Sequence, residues 1–120
     1  LLVHVRDKII PLKSEDIAFC HTADERTYIT TMDGRMFPYD KSLEGIIAML
    51  PEDSFFRANR QFIIARRAIT DISVWFGSRL SVNMSQPTPE KIIISKARVP
   101  EFKRWLTGGN ASRARILMRP

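Results

Sequence analysis

The chain has 120 residues, 44% hydrophobic and 27% charged, which predicts a single globular domain. Its one cysteine excludes an internal disulfide framework or a cysteine-rich zinc site, and no apolar run approaches the roughly 20 residues that a membrane-spanning helix needs. The net charge is +6, made up of −2 in residues 1–50 (six basic, eight acidic) and +8 in residues 51–120 (thirteen basic, five acidic), so the C-terminal part indicates a surface for a polyanion.

The first forty residues predict short strands joined by turns. Asp33-Gly34 is the strongest hairpin signal, and Pro38 places the strand after it at a sheet edge or on a bulge. A polar loop is expected from His21 to Arg26. The strands themselves are expected at residues 2–6, 9–12, 17–20, 27–32 and 35–39.

Two short helices are expected among the remaining strands. Ser42 can cap the first, whose apolar residues have helical spacing up to Leu50 and which Pro51 ends. The second contains Phe102 and Leu106. Further strands are expected at residues 55–58, 62–65, 69–75, 79–84 and 91–95. The pattern thus predicts a mainly β domain of about eight to ten short strands with two short helices, over residues 1–107, and a basic, flexible tail over residues 108–120.

The motifs of common enzymes are missing from the sequence. It contains neither a glycine-rich phosphate loop nor a nucleophile motif, and His4 and His21 lack partners at the spacing of metal ligands. The paired acidic residues adjoin turns or helix starts, where carboxylates are common for local reasons. We therefore expect neither catalysis nor a metal or cofactor.

The stretch from Ser54 to Thr70 contains four arginines and no acidic residue. Its apolar residues can anchor it while the arginine side chains project outward. Arginine presents a planar fork of donors that suits phosphates and guanine edges, and the amides of Asn59 and Gln61 suit adenine. The pattern favours direct base recognition, and a solvated basic loop is the alternative. The four arginines are Arg57, Arg60, Arg66 and Arg67.

Two other places carry basic residues of interest. Ser95, Lys96 and Arg98 lie at the junction of the last strand and the second helix, where free backbone amides and basic side chains can hold a phosphate. Arg26 lies in the expected polar loop. Since the aromatic residues follow core periodicity and form no exposed row, duplex DNA is favoured over single-stranded nucleic acid.

The run from Phe55 to Ile64, FFRANRQFII, resembles the FFRxHRSYIVN segment of the LytTR DNA-binding domain of bacterial response regulators of the LytR/AlgR/AgrA type. The strand at residues 16–19, the Asp33-Gly34 turn and the run 75–80 agree with the same family. The resemblance covers roughly residues 1–106. It implies an elongated β-β-β arrangement of about ten strands that inserts loops into successive major grooves of bent DNA.

The resemblance also implies site residues, and some positions depart from the family pattern. Asn59, Gln61 and Ala65 replace the usual His, Ser and Asn, and Ala97 replaces a basic residue, so the preferred base sequence cannot be taken from relatives. The resemblance and the residue types together assign base contacts to Arg26, Asn59, Arg60, Lys96 and Arg98. Phosphate contacts or support of the loop are assigned to Arg57, Gln61, Arg66, Arg67 and Ser95.

The sequence thus predicts a sequence-specific duplex DNA-binding domain of a cytoplasmic bacterial transcriptional regulator of the two-component type. The resemblance implies pairing on two repeated half-sites and an upstream receiver, with a membrane domain as the alternative to the receiver. The rival function is a protein-interaction or oligomerisation module whose basic face binds an acidic partner. An RNA-binding module comes third.

Overall fold

The computed structural model of the chain describes residues 1–108, in which ten strands form antiparallel sheets of two, five and three strands. The predicted mainly β fold with two short helices is confirmed. The helices are α1 (Leu43–Ile47) and α2 (Val99–Gly108). The strands are β1 (Leu2–Val5), β2 (Lys8–Pro11), β3 (Ile17–Ala23), β4 (Arg26–Thr31), β5 (Met36–Tyr39), β6 (Phe55–Arg57), β7 (Phe62–Ala65), β8 (Ile69–Trp75), β9 (Arg79–Met84) and β10 (Ile92–Ile94).

The five-stranded sheet is the centre of the fold, with strand order β5-β4-β3-β7-β6. The five residues 17–21 of β3 are all buried, which requires that both faces of the sheet are covered. Helix α1 contacts β3, β6 and β7, and α2 packs Phe102 and Trp105 on Phe56 of β6. The buried apolar residues of the three sheets and the two helices form one cluster. This packing makes the central sheet a rigid support for the loops at its ends.

The prediction of a polar loop from His21 to Arg26 is wrong. Strands β3 and β4 continue through it as a hairpin and leave only a two-residue turn, Asp24-Glu25, with φ of +51° and +64°. His21 is 4% exposed, and its ring stacks on those of Tyr28 and Phe62 at centroid distances of 5.2 and 6.0 Å. A histidine counted as polar therefore behaves as an aromatic core residue, and Arg26 is the first residue of a strand.

Other local predictions are confirmed. Asp33-Gly34 joins β4 to β5, Gly34 has φ +89°, and Pro38 lies in an edge strand. The Ser42 hydroxyl accepts a hydrogen bond from the Gly45 amide at 3.1 Å and so caps α1. The described part of the chain thus follows the turn and cap signals closely.

The three-stranded sheet has the order β10-β9-β8 and leads through a 3₁₀ turn, Lys96–Arg98, into α2. Strands β9 and β10 bury their alternating apolar residues, whereas β8 is an exposed edge. Gly108 is the last residue of α2, and the rest of the expected tail lies outside the described residues. Within residues 1–108 no helix is long and apolar enough to cross a membrane.

Candidate nucleic-acid interface

The loop between β6 and β7, residues 58–61, is held by the arginine that precedes it. Arg57 donates from Nε to the carbonyl of Asn59 and from Nη2 to the carbonyl of Arg60, both at 2.8 Å. Its Nη1 donates to Glu44 Oε1 at 3.2 Å. The side chain of Arg57 is therefore folded back onto its own loop, which fixes the backbone on which Arg60 is carried.

Asn59 is also engaged by the protein itself. Its Oδ1 accepts hydrogen bonds from the amides of Gln61 and Phe62 at 2.8 and 3.0 Å, and its Nδ2 donates to the carbonyl of Ile93 at 3.2 Å. Gln61 in turn donates from Nε2 to the carbonyl of Thr22 at 3.2 Å. Both amide side chains therefore connect the loop to neighbouring strands, and the Asn59 amide uses its oxygen twice and one of its two N–H groups within the protein.

Arg98 joins the strand–helix junction to the same loop. Its Nη1 donates to the carbonyls of Arg57 and Ala58 at 2.6 and 3.0 Å, and its guanidinium lies 4.9 Å from the centre of the Phe56 ring. Its Nε and Nη2 donate to Glu101 Oε1 at 3.1 and 2.6 Å. The guanidinium nitrogens of Arg98 therefore donate to groups within the protein, and these bonds hold the junction next to the loop.

Three of the expected contact residues are instead exposed. The side chains of Arg26, Arg60 and Lys96 make no hydrogen bond or ion pair to any residue within 1–108. Ser95 is exposed as well, and its hydroxyl does not cap the turn that follows it. These side chains are the ones that an external ligand can reach.

Two clefts adjoin the loop 58–61, and Arg60 lines both, whereas Lys96 lines neither. The first, of about 820 Å³, brings Arg60 together with Arg26, and acidic residues at 25, 40 and 44 share its wall. The second, of about 480 Å³, brings Arg60 together with Ser95 and with Arg79 of β9. Sequence reasoning missed Arg79, and the one signal that could have revealed it is the absence of acidic residues from position 72 to position 89.

Arg66 and Arg67 lie at the other end of the five-stranded sheet. They follow β7, whereas the loop 58–61 precedes it. Arg66 donates to the carbonyl of Trp105 and lies over its ring at 4.8 Å, and Arg67 donates to the carbonyl of Glu15 at 3.1 Å. The structure therefore separates this pair from the other expected contact residues.

The electrostatics of the site follow from these contacts. A hydrogen bond from its own backbone amide, together with Arg57, lowers the pKa of Glu44, so this carboxylate stays charged beside the loop. Burial lowers the pKa of His21, partly offset by Glu90, and keeps the ring neutral at neutral pH. Burial raises the pKa of Cys20 to about 12, so its thiol stays protonated.

No group of acidic, histidine or cysteine side chains within residues 1–108 is arranged to hold a metal ion.

A mainly β scaffold that presents anchored loops with exposed basic side chains has the features expected of a domain that binds a polyanion. The family model described as the LytTr DNA-binding domain matches residues 7–107. The chain belongs to this family of DNA-binding domains, which is not a class of enzymes.

Named relatives agree with this assignment. The chain is 30% identical over 100 residues to the sensory transduction protein LytT of Enterococcus faecalis and covers 40% of that protein; 83% of this chain is aligned. It is 27% identical over 106 residues to LytT of Bacillus subtilis, covering 43% of that protein with 88% of this chain. The chain therefore spans less than half the length of these relatives.

A solved structure shows the same fold. It is a LytTr DNA-binding domain from Bacillus cereus, which is 24% identical and superposes with a TM-score of 0.74 over 88% of this chain and 94% of that one. The expected elongated β arrangement is therefore that of the family.

Proposed function

We propose that the chain binds a specific sequence in duplex DNA by placing the loop 58–61 and its neighbours in the major groove. The observation that carries the proposal is the exposed Arg60 on a loop whose backbone is fixed by Arg57 and Arg98. A preorganised arginine can donate two hydrogen bonds to guanine, and a fixed loop avoids much of the ordering cost of binding.

The contacts divide the expected residues into two groups. We assign base contacts to Arg60, Arg26 and Lys96, because these side chains are exposed and make no hydrogen bond or ion pair within residues 1–108. Ser95, exposed at the start of the junction turn, is assigned to a phosphate. The remaining residues near the loop are assigned to holding it: Arg57, Asn59, Gln61 and Arg98.

Arg66 and Arg67 are placed outside the interface, since both lie at the opposite end of β7 and are bonded to the chain itself. This assignment differs from the expectation drawn from the acid-free stretch 54–70. The position is the main reason, because a loop that enters a groove turns the other end of its strand away from the DNA.

For the whole protein we propose a transcriptional regulator of the response-regulator type, acting in the bacterial cytoplasm where the chromosome lies. Support comes from the family, from the relatives named sensory transduction proteins and from their greater length, which leaves room for a receiver domain upstream. We further propose binding to two repeated half-sites by a pair of chains, and no catalytic role.

Selection from a random duplex library tests the proposal. We expect recovery of one short sequence, present as repeats at a spacing close to a whole number of helical turns. The recovered duplex, single-stranded RNA and an acidic protein are then titrated at two salt concentrations. Tight duplex binding that falls steeply with salt supports the proposal. Binding only to the acidic protein would establish an interaction module instead, and preference for RNA would establish an RNA-binding module.

A further inference from the structure

The second cleft differs from the first in the charge of its walls. It lies between the loop 58–61, the end of β10 and the hairpin that joins β8 to β9. The first cleft mixes basic with acidic residues, whereas this one is lined by four arginines and by no acidic residue. A concave surface of one sign concentrates the potential that attracts a phosphate. The four are Arg57, Arg60, Arg79 and Arg98.

Two of these arginines use all three guanidinium nitrogens for hydrogen bonds within the chain, whereas Arg79 uses one. Arg57 and Arg98 use their donors on carbonyls of the loop and on carboxylates. Arg79 donates only from Nε, to the carbonyl of Phe76 at 3.1 Å, and its guanidinium lies 4.3 Å from the centre of the Phe76 ring. Its two terminal amino groups have no partner within residues 1–108. The outer edge of this fork is therefore preoriented and available.

The tip of the hairpin is built to hold Arg79 in this position. Gly77 and Ser78 have φ of +73° and +60°, a tight left-handed turn between the strands. Phe76, 72% exposed, supports the guanidinium from outside the core, and the Lys91 ammonium lies 5.0 Å from the centre of the neighbouring Trp75 ring. Phe76 thus lies outside the buried core and packs only its neighbour Trp75, at 5.4 Å between ring centres, and the Arg79 guanidinium among the contacts described.

We propose that the β8–β9 hairpin tip is an additional DNA-binding element in which Arg79 binds a backbone phosphate next to the bases contacted by Arg60. The inference rests on the proposed function. A guanidinium fork matches two oxygens of a phosphate, and such a contact sets the position of the protein on the duplex without reading its sequence. Arg79 therefore contributes affinity and salt dependence, while Arg60 contributes base preference.

The test compares Arg79→Ala with Arg35→Ala in the 120-residue chain. Arg35 is a matched control, because it also lies over a phenylalanine ring, Phe37 at 5.4 Å, but it pairs with Asp33 at the opposite end of the sheet. The probes are fluorescent duplexes of about three helical turns that carry the selected sequence or a scrambled one. Affinities are measured by anisotropy between about 50 and 200 mM KCl, and thermal unfolding confirms that each variant is folded.

We expect Arg79→Ala to weaken binding to both duplexes by the same factor, several-fold, and to reduce the slope of log affinity against log salt by about 0.9, the value for one lost phosphate contact. Arg79→Gln should give the same result with the side-chain length retained, and Arg35→Ala should match the parent chain. An unchanged slope and affinity in Arg79→Ala, with base preference lost in Arg60→Ala, would overturn this inference alone. Absence of duplex binding by the parent chain would overturn the proposed function and this inference together.

Discussion

The two ends of the five-stranded sheet both carry arginines, but the arginines do different work. At the loop end, around residues 58–61, Arg57 and Arg98 hold the backbone and leave Arg60 exposed. At the far end, around residues 13–16, 32–35, 52–54 and 66–68, the arginines bond to nearby groups of the same chain: Arg35 to Asp33, Arg66 to Trp105 and Arg67 to Glu15.

The difference shows how the protein presents an exposed arginine on a fixed loop. An arginine that bonds to carbonyls stiffens the backbone, and a neighbour without such partners is then presented in a defined position. The far end has arginines that connect α2 and the 3₁₀ turn at 14–16 to the sheet, and each arginine described there is bonded to a group of the same chain. The base recognition proposed for the loop end therefore depends on the two kinds of arginine together.

The largest effect is expected from Arg57→Ala, which removes the bonds that hold the loop. Loss of the charged donors to Asn59 and Arg60 should lower the free energy of unfolding by about 1–3 kcal/mol. Specific DNA affinity should fall more than tenfold, because Arg60 loses its fixed backbone. Urea unfolding and anisotropy titration measure the two effects, with Arg67→Ala as the control at the far end. Full affinity in a folded Arg57→Ala variant would show that the loop needs no such support.

Arg60→Ala separates recognition from support. We expect specific binding to weaken by about 1–3 kcal/mol and preference at one base position to relax, because a bidentate contact is lost. Stability should change by less than about 0.5 kcal/mol, since the side chain is exposed. Repeating the library selection with the variant measures the preference. An identical selected sequence at identical affinity would contradict the assignment.

Asn59→Ala distinguishes a loop-holding residue from a base-contacting one. Because the amide is bonded to the backbone of the loop and to Ile93, we expect affinity for the selected duplex to fall by about 1 kcal/mol as the loop that carries Arg60 loses part of its support, with the selected sequence unchanged. Titration of both duplexes provides the measurement. A change in the base preferred at one position, found by repeating the library selection with the variant, would return Asn59 to the base-contacting group.

Arg67→Ala should have the smallest effect. Its position after the FFRANRQFII segment suggests a phosphate contact, but its bond to Glu15 places it at the far end. We therefore expect affinity and salt slope equal to those of the parent chain. A slope reduced by about one would mean that the far end also meets the DNA backbone.

The sequence predicted features that depend on neighbouring residues. Asp33-Gly34 marked its hairpin, Ser42 marked the start of α1, and the apolar residues on either side of 58–61 marked two strands with a loop between them. The family resemblance, carried by one contiguous segment, was equally visible and is confirmed by the family model.

The features that sequence reasoning missed depend on distant residues. Asn59 bonds to a carbonyl 34 positions away, and Arg98 bonds to carbonyls 40 and 41 positions away, so the amide and guanidinium types alone suggested base contacts. His21 was missed because its burial comes from ring stacking across three strands. Arg79 is a lone arginine in an alternating strand and stands out only when the fold brings it beside Arg60.

Amide chemical-shift mapping during titration with the selected duplex shows which end of the five-stranded sheet meets the DNA. We predict changes at residues 24–26, 58–61, 76–79 and 95–98, with the residues of the far end unaffected. Changes centred on residues 32–35, 52–54 and 66–68 would contradict the account, because they would place the DNA at the opposite end of the sheet.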